Sequence, residues 1–268
     1  MSSQTTNPSL YQKAICVSSS KRIEGSPSNF SQRISLPRNN TFTKISLVHA
    51  SIPKGWYMID SQTDLLYEDS ASVPGVPITI QFPSTNVQRN YTITELCAEL
   101  VVVLNAAAVT TGSAATYTCT FDSSTSKLTV TASAGIFHVN LSEDTAEGKD
   151  LLRYLGWNTT NSSTLTVYVS PNRVNLQRYN KIYLNCSLTS NSDDSILTEL
   201  YMAGTGNSDV FEYRTPDACM SARGMSGNQN DNIRVSLLDA NKRPINLNGL
   251  DWDATIVCYD DLAGRPRC

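Results

Sequence analysis

Phe42-Thr43-Lys44-Ile45-Ser46-Leu47-Val48-His49-Ala50-Ser51-Ile52-Pro53 reads as one long strand. Its β-branched and aromatic residues favour pleated backbone, and apolar side chains fall on both of its faces. Such a strand belongs in the middle of a packed sheet, covered on both sides. Pro53, Lys54 and Gly55 end it, and Trp56 and Tyr57 follow as cover for one end of a core.

Upstream, Phe30, Ile34 and Leu36 alternate with Ser31, Arg33 and Ser35, the period of a half-buried strand. Pro37, Asn39 and Asn40 make the turn that follows. Residues 1–28 are polar and Ser-rich and read as an extended arm, with Lys13, Lys21 and Arg22 as its charges. Downstream, Asp64–Glu68 and Pro77–Phe82 are further strand candidates.

One segment departs from the β pattern. Thr92-Ile93-Thr94-Glu95 has capping-box spacing, and Leu96, Leu100, Val103, Leu104 and Ala107 share one helical face. Tyr117, Cys119 and Phe121 then alternate with threonines, Asp122 to Ser126 turn, and Leu128, Val130 and Ala132 return as a hairpin. Leu151 to Trp157 fits a short helical turn. Residues 92–157 therefore read as a small helix-plus-hairpin insertion, expected to project as an extra lobe.

Strand patterns resume at Leu165, Val167 and Val169, at Ile182 to Leu188, and at Val210 to Tyr213. The last two are Ile233, Val235 and Leu237, and Thr255 to Tyr259. No fixed-period repeat is present. About eight strands remain outside the insertion, the count of a single jelly roll with two packed antiparallel sheets. An immunoglobulin-like sandwich fits the same periodicity. The domain reading is an arm at 1–28, an all-β domain at 29–260, and a C-terminal tail at 261–268.

The chain of 268 residues is 40% hydrophobic and only 17% charged, with Ser, Thr and Asn making up the difference. A hydroxyl-rich surface suits wide protein contact, because little charge must be desolvated. The net charge of −3 shows no basic stripe for nucleic acid. The apolar run near Leu100 to Val109 is broken by Asn105 and is short for a bilayer, so membrane contact is not expected. Met1 to Asn7 carries no secretory pattern, which points to synthesis in a reducing cytoplasm. The seven cysteines, Cys16, Cys97, Cys119, Cys186, Cys219, Cys258 and Cys268, include no Cys-x-x-Cys and read as buried free thiols. Triplets such as Asn29-Phe30-Ser31 and Asn158-Thr159-Thr160 arise by composition.

Reactive constellations are missing from the sequence. His49 and His138 lie in strand patterns without a metal motif, and no Gly-x-Ser-x-Gly elbow exists. Asp193-Asp194 and Asp260-Asp261 are adjacent pairs, which on a strand point to opposite faces. Gly204-Thr205-Gly206 and Gly224-Met225-Ser226-Gly227 lack the Lys of a phosphate loop and read as turns. No enzyme activity, catalytic residue, cofactor or metal is expected.

Four phrases in order resemble the penton and minor capsid proteins of double-stranded DNA viruses, including virophages and polinton-like viruses. They are Ser26-Pro27-Ser28-Asn29-Phe30 with Ile34-Ser35-Leu36-Pro37, then Phe42 to Pro53 with Trp56-Tyr57. Tyr91 to Leu96 leading into Tyr117 to Val130 is the third, and Ile233 to Asp239 with Gly249-Leu250-Asp251-Trp252 the fourth. The resemblance implies a single jelly roll whose core signature is Phe30, Ile34, Leu47, Ile52, Trp56, Leu96 and Trp252. It implies a structural protein of the virion, in most cases a homopentameric penton that meets the major capsid protein and other minor capsid proteins. A cement position beneath or between capsomers is the alternative. A glycan- or receptor-binding jelly roll is the reading of another class, favoured if Trp56, Tyr57 or Trp157 lie exposed together. Under the resemblance the arm ties neighbouring subunits through Lys13, Lys21 and Arg22. Deleting residues 1–22 is then expected to spare the fold and impair incorporation.

Overall fold

The computed structural model describes residues 12–36, 42–70, 77–141, 146–158, 166–190, 195–202, 209–215, 221–226 and 231–260. The chain forms two units, Met1–Trp56 with Tyr179–Cys268, and Tyr57–Arg178. The first unit opens with β1 (Gln12–Ser18), β2 (Glu24–Ser26), β3 (Asn29–Arg33) and β4 (Lys44–Pro53). The second holds β5 (Thr63–Asp69), β6 (Ile78–Phe82), α1 (Ile93–Thr111), β7 (Tyr117–Asp122), β8 (Lys127–Ala132), β9 (Phe137–Leu141), α2 (Ala146–Leu155) and β10 (Val167–Val169). The first then resumes with β11 (Lys181–Cys186), β12 (Ile196–Tyr201), β13 (Val210–Arg214), β14 (Arg223–Gly224), β15 (Asn232–Leu238) and β16 (Asp253–Tyr259).

Setting aside the short β2 and β14, the first unit has eight strands among the described residues, and their pairing defines the topology. The first strand pairs with the eighth (β1 with β16), and the second with the seventh (β3 with β15). The third pairs with the sixth (β4 with β13), and the fourth with the fifth (β11 with β12). That nesting is one long antiparallel hairpin rolled up. Two further ladders, β16 on β4 and β15 on β11, join the nested pairs into two sheets, ordered β1-β16-β4-β13 and β12-β11-β15-β3-β2. The result is a jelly roll. The immunoglobulin-like alternative fails because its strands would not nest first with last.

Alternation fills the space between the sheets. Ile233, Val235 and Leu237 of β15 are buried while Asn232 and Arg234 are exposed. Ile182, Leu184 and Cys186 do the same on β11, and Ala254, Ile256 and Cys258 on β16. The long strand at the centre of the sequence reading is β4, paired on both sides by β16 and β13. Its inward set shifts from Ile45 and Leu47 to Ala50 and Ile52, because a bulge in the β16 ladder changes the register.

In chain order the second unit comes between the third and fourth strands of the roll, and its strands form two separate three-stranded sheets, β10-β8-β7 and β6-β5-β9. Helix α1 starts in the expected capping box: Thr92 accepts from the Glu95 N–H, and Glu95 accepts from the Thr92 N–H. It ends at Gly112, whose φ of 70° suits a residue without a Cβ. By length and composition α1 could cross a membrane, yet Leu96, Leu100, Val103, Leu104 and Ala107 are buried in its own unit's core. It is a core helix.

Three expectations are corrected. The insertion spans 57–178, not 92–157, so β5, β6 and β10 belong to it and not to the roll. The arm at 1–28 is sheet over much of its length: β1 is the first strand of the roll, and β2 pairs β3. The domain expected to start at residue 29 therefore starts by residue 12. Residues 1–11, the turn at Pro37 to Asn40, Leu165 and the tail at 261–268 lie outside the described residues.

Candidate assembly surface

Phe30, Ile34, Leu47, Ile52, Trp56 and Trp252 come together in the jelly-roll core. Trp252 is the pivot of that set. Its ring meets Phe30 edge-on at 5.8 Å, and its indole N–H donates to the Pro27 carbonyl at 2.7 Å. Its backbone N–H donates to Ser19 Oγ, and its carbonyl accepts the Ser19 N–H. Leu96 is fully buried as well, but in the separate core of residues 57–178. The seven signature residues thus serve two cores.

The basic residues of the expected arm take three different positions. Lys13 is exposed on β1, opposite Cys258 of β16. Lys21 is exposed in the 3-10 turn after β1. Arg22 folds back on its own chain, where its guanidinium donates to the Ser19 carbonyl at 2.7 Å and to Asp251 Oδ1 at 2.9 Å. Ser19 Oγ donates to the same carboxylate oxygen at 2.7 Å, so this corner is knit to the segment before β16. Only Lys13 and Lys21 are left pointing outward.

Among the described residues, each sheet presents two unlike edges, β1 and β13 in one, β2 and β12 in the other. Unpaired edge backbone invites addition of another chain, so what the edges carry decides which neighbours fit. On β12, Tyr201 is 66% exposed, and its hydroxyl donates to Glu199 at 3.1 Å. Lys181 donates to the same carboxylate at 3.2 Å and sits over the Tyr183 ring at 4.7 Å. Hydrogen bonds from Lys181 and Tyr201 hold the Glu199 carboxyl below its usual range. On β13, Glu212 accepts from Ser51 at 2.7 Å and meets His49 at 2.9 Å across the ladder to β4. Those hydrogen bonds, Ser51 first, depress the Glu212 carboxyl too. Val210 of the same edge is 51% exposed.

These groups order an exterior face and do not form a nucleophilic site. Ser51 bonds the carboxylate and not His49, so Ser51 is not aligned for proton removal by that histidine. His138 lies on β9, where it is opposite Glu68 of β5. Among the described residues, no three His, Cys, Asp or Glu side chains group as metal ligands. Gly224 pairs in β14 with Lys44, as part of a short ladder. Asp193-Asp194, Gly204-Thr205-Gly206, Gly227, Asp261, Cys219, Cys268 and the sequon beyond Asn158 lie outside the described residues. Trp56 and Trp157 are 8% and 5% exposed, so the aromatic cluster that would favour a glycan-binding head is not presented. Trp56 packs instead against Tyr179 at 5.2 Å, and Trp157 against Tyr168 at 5.5 Å.

The sequence reading missed β12 and with it Tyr201 and Glu199. Its buried residues, Leu197 and Leu200, are three apart because the β11–β12 ladder is irregular at Leu184/Asn185. Leu197 and Leu200 around Thr198-Glu199 were the available signal, and a period-two search passes over them.

No protein-family model matches the chain, and no curated protein matches it. Among solved structures, the crystal structure of the selenomethionine-labelled mavirus penton protein is similar, with a TM-score of 0.54 and 9% sequence identity. The match covers 93% of this chain and 99% of that one. At that identity the likeness is one of fold, and it extends over nearly the whole of both chains.

Proposed function

We propose that this chain is a structural capsid protein, the penton subunit that forms a homopentamer at the five-fold vertices of an icosahedral virion. One observation carries the reading: the likeness in fold to a virophage penton protein extends over 93% of the chain, insertion included. The topology suits the role. A ring of five repeats one heterologous contact until it closes, which needs two different surfaces on one rigid body. The unlike edges β1 and β13, and β2 and β12, supply different surfaces, and the nested ladders join the eight strands into one roll.

Within this reading the neighbours are further copies of the chain, the major capsid protein and other minor capsid proteins. Lys13 and Lys21 are the outward charges of the first strand and its turn, and we assign them to a neighbour's carboxylates. The chain would be made in the host cytoplasm and act in the virion, without a catalytic step. A map of the assembled particle tests the placement. Density for this jelly roll at the five-fold vertices is the expected result. Density beneath or between the major capsomers would overturn the penton and identify a cement protein.

A further inference from the structure

Among the described residues, β6 is the outermost strand of the sheet β6-β5-β9, so one of its edges pairs with β5 and the other has no strand beside it. A groove of about 450 Å³ runs along that second edge. Ile78, Thr79, Ile80 and Gln81 line it in succession. Neighbouring side chains of a strand point to opposite faces, so four in a row are met along a strand's edge and not across its face. The other wall is α1, which contributes Val103, Ala106, Ala107 and Thr110 at the spacing of one helical face. Strand end and helix are tied where the Ser84 N–H donates to Glu99 Oε1 at 2.7 Å.

The helix wall continues outward as an exposed apolar face. Val102 and Val109 lie next to Ala106 around the helix and are 53% and 79% exposed. Two unmet needs therefore adjoin: a strand edge with amides and carbonyls to pair, and apolar side chains left in water. An extended peptide meets both together, whereas a docked helix or a small apolar molecule leaves the edge unpaired.

We propose that this groove takes an extended segment of a partner protein, which adds to β6 as a further strand, alternates apolar with polar residues, and sets a Lys or Arg beside Asp64. The faces of the sheet dictate the alternation. Ile80 and Phe82 are buried in the core that α1 shares, while Thr79 and Gln81 are exposed on the opposite face, with Asp64 of β5 across from Gln81. Apolar residues of the added strand then lie over Ala106 and Ala107, and polar ones continue the row of Thr79 and Gln81. Among the described lining residues the charge is that of Asp64, whose Oδ1 accepts from Gln81 Nε2 at 3.3 Å. A carboxylate accepts from several donors, so a cation on the incoming strand joins Gln81 there. A second copy of the same edge fits less well, because Ile78–Phe82 carries no cation to meet Asp64. Docking here needs neither five-fold symmetry nor a shell; in a capsid, the segment would come from a neighbouring capsid chain.

The test titrates the full chain into a fluorescein-labelled, end-capped peptide, Thr-Val-Lys-Val-Thr-Val-Lys, and follows its anisotropy. Saturable binding is expected, with hydrogen exchange slowed at residues 78–82. The same residues reordered as Thr-Thr-Val-Val-Val-Lys-Lys, and the first peptide with Glu for Lys, are each expected to bind about tenfold more weakly. Ala106→Trp fills the groove from an exposed helix position and is expected to abolish binding with the thermal midpoint kept. Thr110→Trp, exposed on the same wall, is expected to do likewise. Asp64→Asn is expected to weaken binding about two- to fivefold and to flatten its salt dependence. Absent binding, equal binding of the reordered peptide, binding that survives both tryptophan variants, or a dimer of the chain that those variants disperse would overturn the proposal.

Discussion

Two buried residues show how single side chains hold each core. Trp252 is 1% exposed and satisfies its indole N–H on the Pro27 carbonyl, so it fixes the β2–β3 turn against the segment entering β16. Trp252→Ala removes the ring from both and is expected to destabilise the jelly roll by about 3–5 kcal/mol in chemical denaturation. Trp252→Phe should cost clearly less, since the packing largely survives and only the indole hydrogen bond is lost. In residues 57–178, Asp69 is 1% exposed and accepts from Tyr67 at 3.0 Å, Tyr117 at 3.1 Å and Ser113 at 2.7 Å. Burial first, with the neighbouring hydroxyl and carboxylate adding to it, pushes the Tyr67 phenol well above its ordinary 10.0. Burial first, and Asp69, push Tyr117 up also, against the close contact between the Tyr67 and Tyr117 hydroxyls. A raised folded value means that the native state keeps protons the unfolded chain gives up. That stability is complete below roughly pH 10 and drains as the pH rises past it, by up to about 1.4 kcal/mol per pH unit for each tyrosine. Unfolding measured across that range should slope downward, and the Tyr67→Phe, Tyr117→Phe double variant should slope less. An unchanged slope would contradict the assignment.

At the scale of elements, β1 carries the sharpest consequence. It pairs with β16 along its whole length, from Gln12↔Tyr259 to Ser18↔Asp253, and buries Ile15 and Val17. Deleting residues 1–22 removes a strand of the roll and should unfold the first unit by circular dichroism. Deleting residues 1–11 leaves that ladder complete and should preserve the fold. This reverses the sequence-based expectation for the longer deletion. A smaller effect attends the helix cap: Thr92→Ala should cost about 1 kcal/mol, because the Glu95 N–H loses its partner. The sequence disclosed β4, α1 and the β7–β8 hairpin well, since each repeats a local pattern over many residues. It hid β1, where only Ile15 and Val17 point inward, with Ala14, Cys16 and Ser18 alternating, and β12, where an irregular ladder displaces the period. The extent of the insertion was hidden for another reason. Period two says that Asp64–Glu68 is a strand, but not which sheet receives it. Nor could it show Arg22 turned back onto Asp251, because that partner is distant in sequence.

For the whole molecule, the two units each own a hydrophobic core, and the roll's ends at the insertion meet through the Trp56–Tyr179 ring contact. Replacing residues 57–178 by a short Gly-Ser linker should therefore leave a soluble jelly roll with a cooperative transition. In the insertion, Arg178 bonds the Tyr57 carbonyl at 2.7 Å and Asp60 at 2.5 Å, which closes its base. The penton reading turns on how copies of this chain associate. Native mass spectrometry of the purified full chain tests it most directly. A closed assembly of five chains is the expected result; a monomer, or a ring of any other number, would contradict the penton reading.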